Sequence, residues 1–375
     1  MKYPIFIASA IASISFAAHA QSVTLYGVVD SGIEFLNHAD GGNHSLTRMP
    51  VNTGLAPSRV GLRGTEDLGD GLKAVFTLEG GFSTRNGNGA QGGRLFGRQS
   101  FVGLSGDWGT LSLGRQYTMT AYALIDNSIS GVAIYSLGSL DNYLPNARAD
   151  NSVAYKGRFG PVTVGAMYSF GRDSVGTGNA PGQGTCAGQD MGDSTQCRNL
   201  SALFRYDTAH FGMAASYEEQ QGGPHATFSF FDGVAPRPLG RNGKDVRTLI
   251  NAYAKFDDVK VAAGWLGRRV RPGEGDRSTV RSDLYYAGAS YSVTPALEVA
   301  GEVFRIINRD HDTRATMVML RGVYSLSKRT STYLQGAYLT NSSNAAYSAS
   351  AGGAGGAPGM GMSQIGTMVG VLHTF

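Results

Sequence analysis

Charge is scarce in this chain. Asp, Glu, Lys and Arg make up 16% of the 375 residues, well below the roughly 25% of an ordinary soluble domain. Neither sign dominates, with 32 basic and 28 acidic residues for a net +4, and no basic run stands out. A nucleic-acid binder concentrates its cations on one face or helix, so no nucleic-acid partner is expected. Long hydrophobic runs are missing too. Beyond the N-terminus no stretch approaches 18 consecutive apolar residues, which excludes a helical membrane protein. Patterns of helical period are rare. The 54 glycines follow no G-X-Y repeat, which excludes collagen, and 42% apolar with 10% aromatic residues excludes intrinsic disorder.

Catalytic and cofactor signatures are equally sparse. There is no G-x-S-x-G and no H-E-x-x-H. A hydrolase would need a serine and a histidine on one face, and no such pair can be assembled. Residues 87–92 read Gly-Asn-Gly-Ala-Gln-Gly, a literal G-x-G-x-x-G. They lead into Arg94-Leu-Phe-Gly-Arg-Gln, a strand pattern, whereas a dinucleotide site requires a helix N-terminus there. The two cysteines, Cys186 and Cys197, lie in a polar, Gly-rich stretch without the C-x₂-C spacing or a nearby His of a metal site. No metal and no cofactor are expected.

What is present begins with an export signal. Met1-Lys2 precedes an apolar, small-residue run over 5–18, then Ala18-His19-Ala20. This reads as a signal peptide, residues 1–20, cleaved after Ala20. Residues 21–375 then form one exported domain. In an oxidising compartment Cys186 and Cys197 are expected to pair and close a loop.

Period-two alternation recurs along that domain. In 71–79, Leu72, Ala74, Phe76 and Leu78 take one face while Lys73, Val75, Thr77 and Glu79 take the other. Sixteen such segments can be counted: 22–36, 58–66, 71–84, 97–105, 109–117, 151–158, 162–171, 198–206, 211–221, 246–256, 259–270, 281–291, 296–308, 315–325, 330–341 and 364–375. Their connections alternate between tight turns, such as Phe159-Gly160-Pro161 and Asp257-Asp258, and mostly longer segments rich in Gly, Asn, Asp and Ser. A secreted sandwich array or propeller is the soluble alternative, but no blade motif recurs. An even strand count, alternating connection lengths, an export signal and diffuse hydrophobicity fit a closed antiparallel barrel, which satisfies every backbone group in lipid. The fold expected is all-β: a 16-stranded antiparallel transmembrane β-barrel.

The connection at about 118–150 is the longest and carries Tyr122, Leu124, Ile125, Val132, Ile134, Tyr135, Leu137, Leu140, Tyr143 and Leu144. That is too apolar for an exposed loop, so it is expected to pack inside the barrel. The final strand puts Ile365, Thr367, Val369, Val371, His373 and Phe375 on one face, with the terminal aromatic at the interfacial girdle.

SVTLYGVVDSGIEF at 22–35 resembles the first strand of Gram-negative general porins, particularly of the beta-proteobacterial branch. So do the segments 58–82, 93–118 and 151–171, and the terminal His373-Thr374-Phe375. The resemblance runs the length of the mature chain. It implies a trimeric, sixteen-stranded pore with its third long loop folded inward as a constriction. It also implies passive diffusion of small hydrophilic solutes and ions, without catalysis, through an outer membrane of lipid and lipopolysaccharide. Phe375 is the expected terminal assembly aromatic. The alternatives are a barrel hydrolase, or an adhesin or other interaction surface carried by loops such as 222–245 and 342–363.

A pore works through charge in its lumen. Arg59 and Arg63 alternate with Val60 and Leu62, and a charge facing lipid at mid-depth would cost roughly 2–4 kcal/mol, so both arginines are expected to point inward. The resemblance carries Arg59, Arg98 and Arg148 onto the family's arginine cluster, with Arg63 beside them. Periodicity alone leaves Arg98 open, because it shares parity with Val102 and Leu104. Arg115 shares parity with Leu111 and Leu113 and is expected outside, at a subunit contact or the rim. Many porins carry Pro-Glu-Phe-Gly-Gly in the inward loop, and this sequence lacks it. Asp126 and Asp141 are the candidates to face the arginine wall, and mild anion preference is the expectation.

Overall fold

In a computed structural model, residues 22–51, 54–125, 127–176, 179–180, 182–189 and 191–375 are described. The expected signal peptide, residues 1–20, and Asp126 lie outside them. The wall runs Ser22–Ala39, Arg59–Gly69, Leu72–Gly81, Gln99–Gly106, Gly109–Tyr117, Arg148–Phe159, Val162–Ser169, Asn199–Asp207, Phe211–Gln221, Lys244–Phe256, Val259–Arg271, Val280–Thr294, Leu297–Asn308, Thr313–Ser325, Thr330–Asn341 and Gln364–Thr374. Each strand pairs antiparallel with the next, and the first pairs with the last from Val28↔Thr374 to Leu36↔Gly366. The sheet is therefore a closed barrel of sixteen strands, as the alternation predicts.

A short strand absent from the sequence reading, His44–Arg48, pairs with the upper half of Ser22–Ala39, while Arg59–Gly69 pairs with its lower half. The two lie end to end and fill one position in the wall. A further two-residue hairpin, Thr227–Phe228 with Arg237–Pro238, stiffens the loop at 222–243. The strand after the inward loop starts at Arg148 rather than at residue 151, which shortens the loop to 118–147.

The C-terminus completes the ring. Gly27 and Phe375 exchange both backbone hydrogen bonds, at 3.0 and 3.1 Å. The Phe375 ring lies over Gly27, where an added Cβ would come within 2.3 Å of it. Phe375 remains 43% exposed on the outer face, as its parity predicts.

The core lies inside the barrel. Met119, Leu124, Ile134, Tyr135, Leu137, Leu140 and Leu144 of the inward loop pack with Leu203, Leu249, Leu266, Leu284, Phe304 and Met317 of the wall. Burying each large apolar side chain stabilises by about 1.5–3 kcal/mol, enough to hold a loop that the sequence shows to be apolar. Close approach demands glycine beneath it. A Cβ on Gly165 would come within 2.5 Å of Met119 Sδ, and one on Gly366 within 2.8 Å of the Tyr135 ring.

Candidate functional site

Register settles which side chains enter the lumen, because cross-strand partners share a face. Thr24 pairs with Arg63, Val28 with Arg59, Gly61 with Glu79 and Arg63 with Thr77. Arg59, Arg63 and Glu79 therefore all point inward. Glu79 is the centre of the cluster. Its carboxylate accepts Arg98 Nε at 2.7 Å and the Tyr26 hydroxyl at 3.0 Å, with Arg59 Nε at 3.6 Å.

Arg98 also turns inward, and the backbone shows how. Gln99 is the register partner of Glu79, yet the Arg98 N–H also bonds the Glu79 carbonyl at 3.0 Å. Two successive residues meet one, a bulge-like break that resets alternation. The Arg98 guanidinium then reaches the Tyr117 hydroxyl at 2.6 Å. Arg148 lies over the Tyr117 ring at 4.7 Å and donates to its hydroxyl at 3.4 Å. The structure thus brings together Arg59, Arg98 and Arg148 around Glu79 and Tyr117, with Arg63 over the Tyr26 ring.

The four arginines differ in access. Arg98 and Arg148 are 5% and 1% exposed, sealed beneath the loops. Arg59 is half-buried and Arg63 exposed to the lumen. Below the inward loop the lumen widens into adjoining spaces of about 470 and 510 Å³. Their cations are Arg63, Lys156, Arg158 and Arg205. Lys156 Nζ stands 3.8 Å above the Tyr122 ring, and Arg205 is chelated by Asp207 while donating to the Ile125 carbonyl at 2.9 Å.

Asp141 does not face the arginine wall. It is buried and accepts two hydrogen bonds from Arg247, at 2.9 and 3.2 Å. Arg247 sits on Lys244–Phe256, the tenth strand of the wall, whereas the arginine cluster occupies the second, fourth and sixth. Arg247 also pairs with Asp245 at 3.2 Å, which in turn holds Arg268 at 2.7 Å. The acid expected to oppose the cluster instead belongs to a buried network that fastens the loop to another part of the wall. Buried charges of this kind must be paired, and Asp141, which ends the short helix Leu137–Leu140, has Arg247 as its ion-pair partner.

A second clip lies farther along. Glu302 accepts the backbone N–H of Ser130 at 2.7 Å, that of Ile129 at 3.3 Å and the Ser128 hydroxyl at 3.2 Å. Arg321 donates to the Ile129 carbonyl at 2.9 Å. Arg115 does not lie on the outside as its parity suggests: it is buried, bonding the Gly97 carbonyl at 2.7 Å, Asp150 at 2.5 Å and Asn179 at 2.9 Å, and Asn179 in turn donates to the Arg148 carbonyl. The structure joins Cys186 and Cys197 in a disulfide, buried against Phe228 and Phe230 of the neighbouring loop.

A barrel of sixteen strands with a charged lumen and an inward loop invites comparison with known channels. The model of the Gram-negative porin family matches residues 8–344. The chain belongs to the Gram-negative porin family. This porin is 32% identical to an outer membrane porin protein of Bordetella pertussis, covering 91% of this chain and 95% of that one. It is also 32% identical to outer membrane porin protein 32 of Delftia acidovorans, over 98% and 99% of the two chains. A solved anion-selective porin from Comamonas acidovorans superposes with a TM-score of 0.78 at 26% identity, covering 95% of this chain and all of that one. The porin is a passive diffusion pore of the outer membrane.

Glu79, Lys156, Arg205, Arg247 and Glu302 are absent from the sequence-based site. Glu79 carried a usable signal, since it shares the face of Thr77, opposite the strand bearing Arg59 and Arg63. The partners of the loop carried none, because a loop's docking positions have no fixed spacing from the strands they meet.

Proposed function

We propose that this porin passes small hydrophilic solutes and ions with a mild preference for anions, and that Arg59 and Arg63 are its lumen-exposed selectivity residues. The observation that carries this reading is the commitment of Asp141 to Arg247. With Asp141 engaged elsewhere, the carboxylate that contacts the arginine cluster among the described residues is Glu79, one negative charge beside four positive ones. Rings of like charge in a pore select ions of opposite sign. Lys156 and Arg205 extend the basic lining toward the periplasmic mouth, and the anion-selective relative from Comamonas acidovorans supports the same sign. Arg98 and Arg148 hold the cluster from behind, braced on Tyr117. The chain acts as a channel without a catalytic step.

The working assembly is a homotrimer. Gln99–Gly106 and Gly109–Tyr117 are 8 and 9 residues long, against 13 to 15 in the strands from Lys244 to Thr294. A strand that crosses lipid needs about 9–11 residues, so the low wall suits contact with protein.

Reversal potentials in a KCl gradient test the reading. Chloride preference should weaken as salt rises, because the Debye length falls from about 8 Å at physiological salt to about 3 Å at 1 M. Arg59→Ala with Arg63→Ala should shift the reversal potential toward potassium. A wild-type pore that prefers potassium, or a double variant indistinguishable from wild type, would refute it.

A further inference from the structure

The chamber below the inward loop has a lining that a passage for simple ions does not need. A space of about 470 Å³ opens there onto Arg63 and Lys156, and also onto Val75, Phe101 and Tyr122. Register places the apolar side chains of the wall inside. Phe101 pairs with Thr77, Thr77 pairs with Arg63, and Val75 has the parity of Thr77. Val75, Phe101 and Tyr122 are half-buried, so each keeps part of its surface open to the lumen. Apolar surface left facing water is unfavourable. A concave apolar wall with a few placed polar groups is the usual form of a small-molecule site.

The two cations have no acidic partner. Among the described residues neither Arg63 nor Lys156 forms an ion pair. Their contacts are rings: the Arg63 guanidinium lies 5.4 Å from the centre of Tyr26, and Lys156 Nζ lies 3.8 Å from that of Tyr122. Asp207, the acid lining the adjoining space, chelates Arg205. An ammonium resting on a ring face keeps N–H donors directed away from that ring. Lys156 is thus fixed where charge meets apolar surface.

That juxtaposition defines the chemistry of an occupant. Chloride would use the cations alone, and a neutral solute would use the wall alone. An anion with an apolar body uses both. Two of the three apolar side chains are aromatic, and aromatic rings favour another ring in edge-on or offset contact.

We propose that this chamber is a binding site for small aromatic carboxylates in transit through the pore. The ring lies against Phe101 and Val75 beneath Tyr122, and the carboxylate bonds Lys156 Nζ. Arg63 receives the anion first, because it lies on Tyr26, whose hydroxyl bonds Glu79 at the centre of the arginine cluster. The carboxylate then passes from Arg63 to Lys156 while the ring stays on one apolar wall. Two weak sites in succession suit conduction, which requires binding that also lets go. The site rests on the anion preference proposed above and adds to it a substrate class.

Single-channel chloride current in a planar bilayer, at low salt and neutral pH, is titrated with benzoate, acetate, cyclohexanecarboxylate and benzyl alcohol. Benzoate should block saturably, at a half-saturating concentration about tenfold or more below that of acetate, which lacks the apolar body. Cyclohexanecarboxylate, without a flat ring, should be several-fold weaker than benzoate, and uncharged benzyl alcohol should not block. Lys156→Gln should raise the half-saturating benzoate concentration about tenfold, as expected for loss of a charge-assisted hydrogen bond. Phe101→Ser should bring benzoate close to acetate, and Val75→Ser serves as a second apolar variant should the first fail to fold. Equal block by acetate, cyclohexanecarboxylate or benzyl alcohol, or undiminished benzoate block in a folded variant, would overturn the proposal. Reversal potentials from the same channels separate the two readings. Chloride preference without selective benzoate block overturns this site alone, whereas potassium preference overturns the anion reading beneath it as well.

Discussion

Arg98 meets Glu79 twice, through its guanidinium at 2.7 Å and through its backbone N–H at 3.0 Å. The bulge that turns the side chain inward is therefore built on the same residue that neutralises it. Glu79 both positions the basic cluster and subtracts from its field. Glu79→Gln keeps the shape and deletes the charge. A unit charge acting on an ion about 8 Å away in a water-like medium is worth roughly 0.5 kcal/mol, or about twofold in relative permeability. Chloride gains and potassium loses by that factor, so the chloride-to-potassium ratio from reversal potentials should rise by up to about fivefold, and an unchanged or lower ratio would count against the arrangement.

Glu302 holds residues 128–130 of the inward loop through two backbone N–H groups and a hydroxyl. Hydrogen bonds to a charged group contribute about 1.5–3 kcal/mol each. Glu302→Ala removes them together and leaves the loop's apolar packing in place. Excursions of the loop from its docked position should then become at least a hundredfold more frequent, the change that about 2.7 kcal/mol, the worth of a single such bond, already produces. The readout is open-channel current noise and substate occupancy in a planar bilayer. A trace as quiet as that of the wild type would show that apolar packing alone fixes the loop.

How much of this was legible beforehand depends on the physical signal each feature leaves. Alternation in a barrel has a fixed period, so Arg59, Arg63 and the sixteen-strand wall could be read from sequence. The same periodicity leaves Arg98 open, because a bulge shifts phase by one residue without changing composition. His44–Arg48 was missed since five residues hold too few alternations to stand out. Asp141 was assigned to the loop correctly, but its partner was invisible. Nothing in the local sequence says that Leu137–Leu140 docks beside Arg247, more than a hundred residues away.

Cys186 and Cys197 close a loop that packs on Phe228 and Phe230. A crosslink across so short a segment is worth about 3 kcal/mol in the chain-entropy description. Cys186→Ser with Cys197→Ser should leave the barrel folded and conducting while protease cuts within 170–198 sooner. Two free thiols found by mass spectrometry in protein purified without reductant would contradict the pairing.

Asp232 ties the loop at 222–243 to the start of Thr313–Ser325. It accepts His311 Nδ1 at 2.7 Å and the Thr313 hydroxyl at 3.0 Å. Burial pushes its carboxyl up, but the bonds from His311, Thr313 and the N–H of Val234 outweigh that and hold it below the usual carboxylate range. A depressed value means the stabilisation is complete above the unfolded value of about 3.9 and is lost as pH falls through the folded one. Amide exchange across 222–243, corrected for intrinsic rates, should therefore accelerate below about pH 4. Asp232→Asn should flatten that dependence, and an equally steep profile in the variant would place the titrating group elsewhere.

In the proposed trimer the outer face of the low wall is a protein contact and that of the high wall a lipid contact. Val102 and Leu113 are 57% and 54% exposed on Gln99–Gly106 and Gly109–Tyr117, and they are register partners. Ile250 and Val303, at 53% and 42%, occupy outward positions on longer strands. Exposure is thus alike at the two places, and in the proposed trimer only their neighbours differ. A packed interface resists added volume at a cost of about 1–3 kcal/mol per overpacked site, whereas fluid lipid makes room. Three copies of each contact multiply the penalty within one assembly. Val102→Trp with Leu113→Trp should therefore yield protein that migrates at monomer mass on unheated gels and resists crosslinking into trimers. Ile250→Trp with Val303→Trp should leave a heat-modifiable trimer intact. Trimer loss in the second pair but not the first would move the interface to the high wall, and wild-type protein that runs only as monomer would end the trimeric reading.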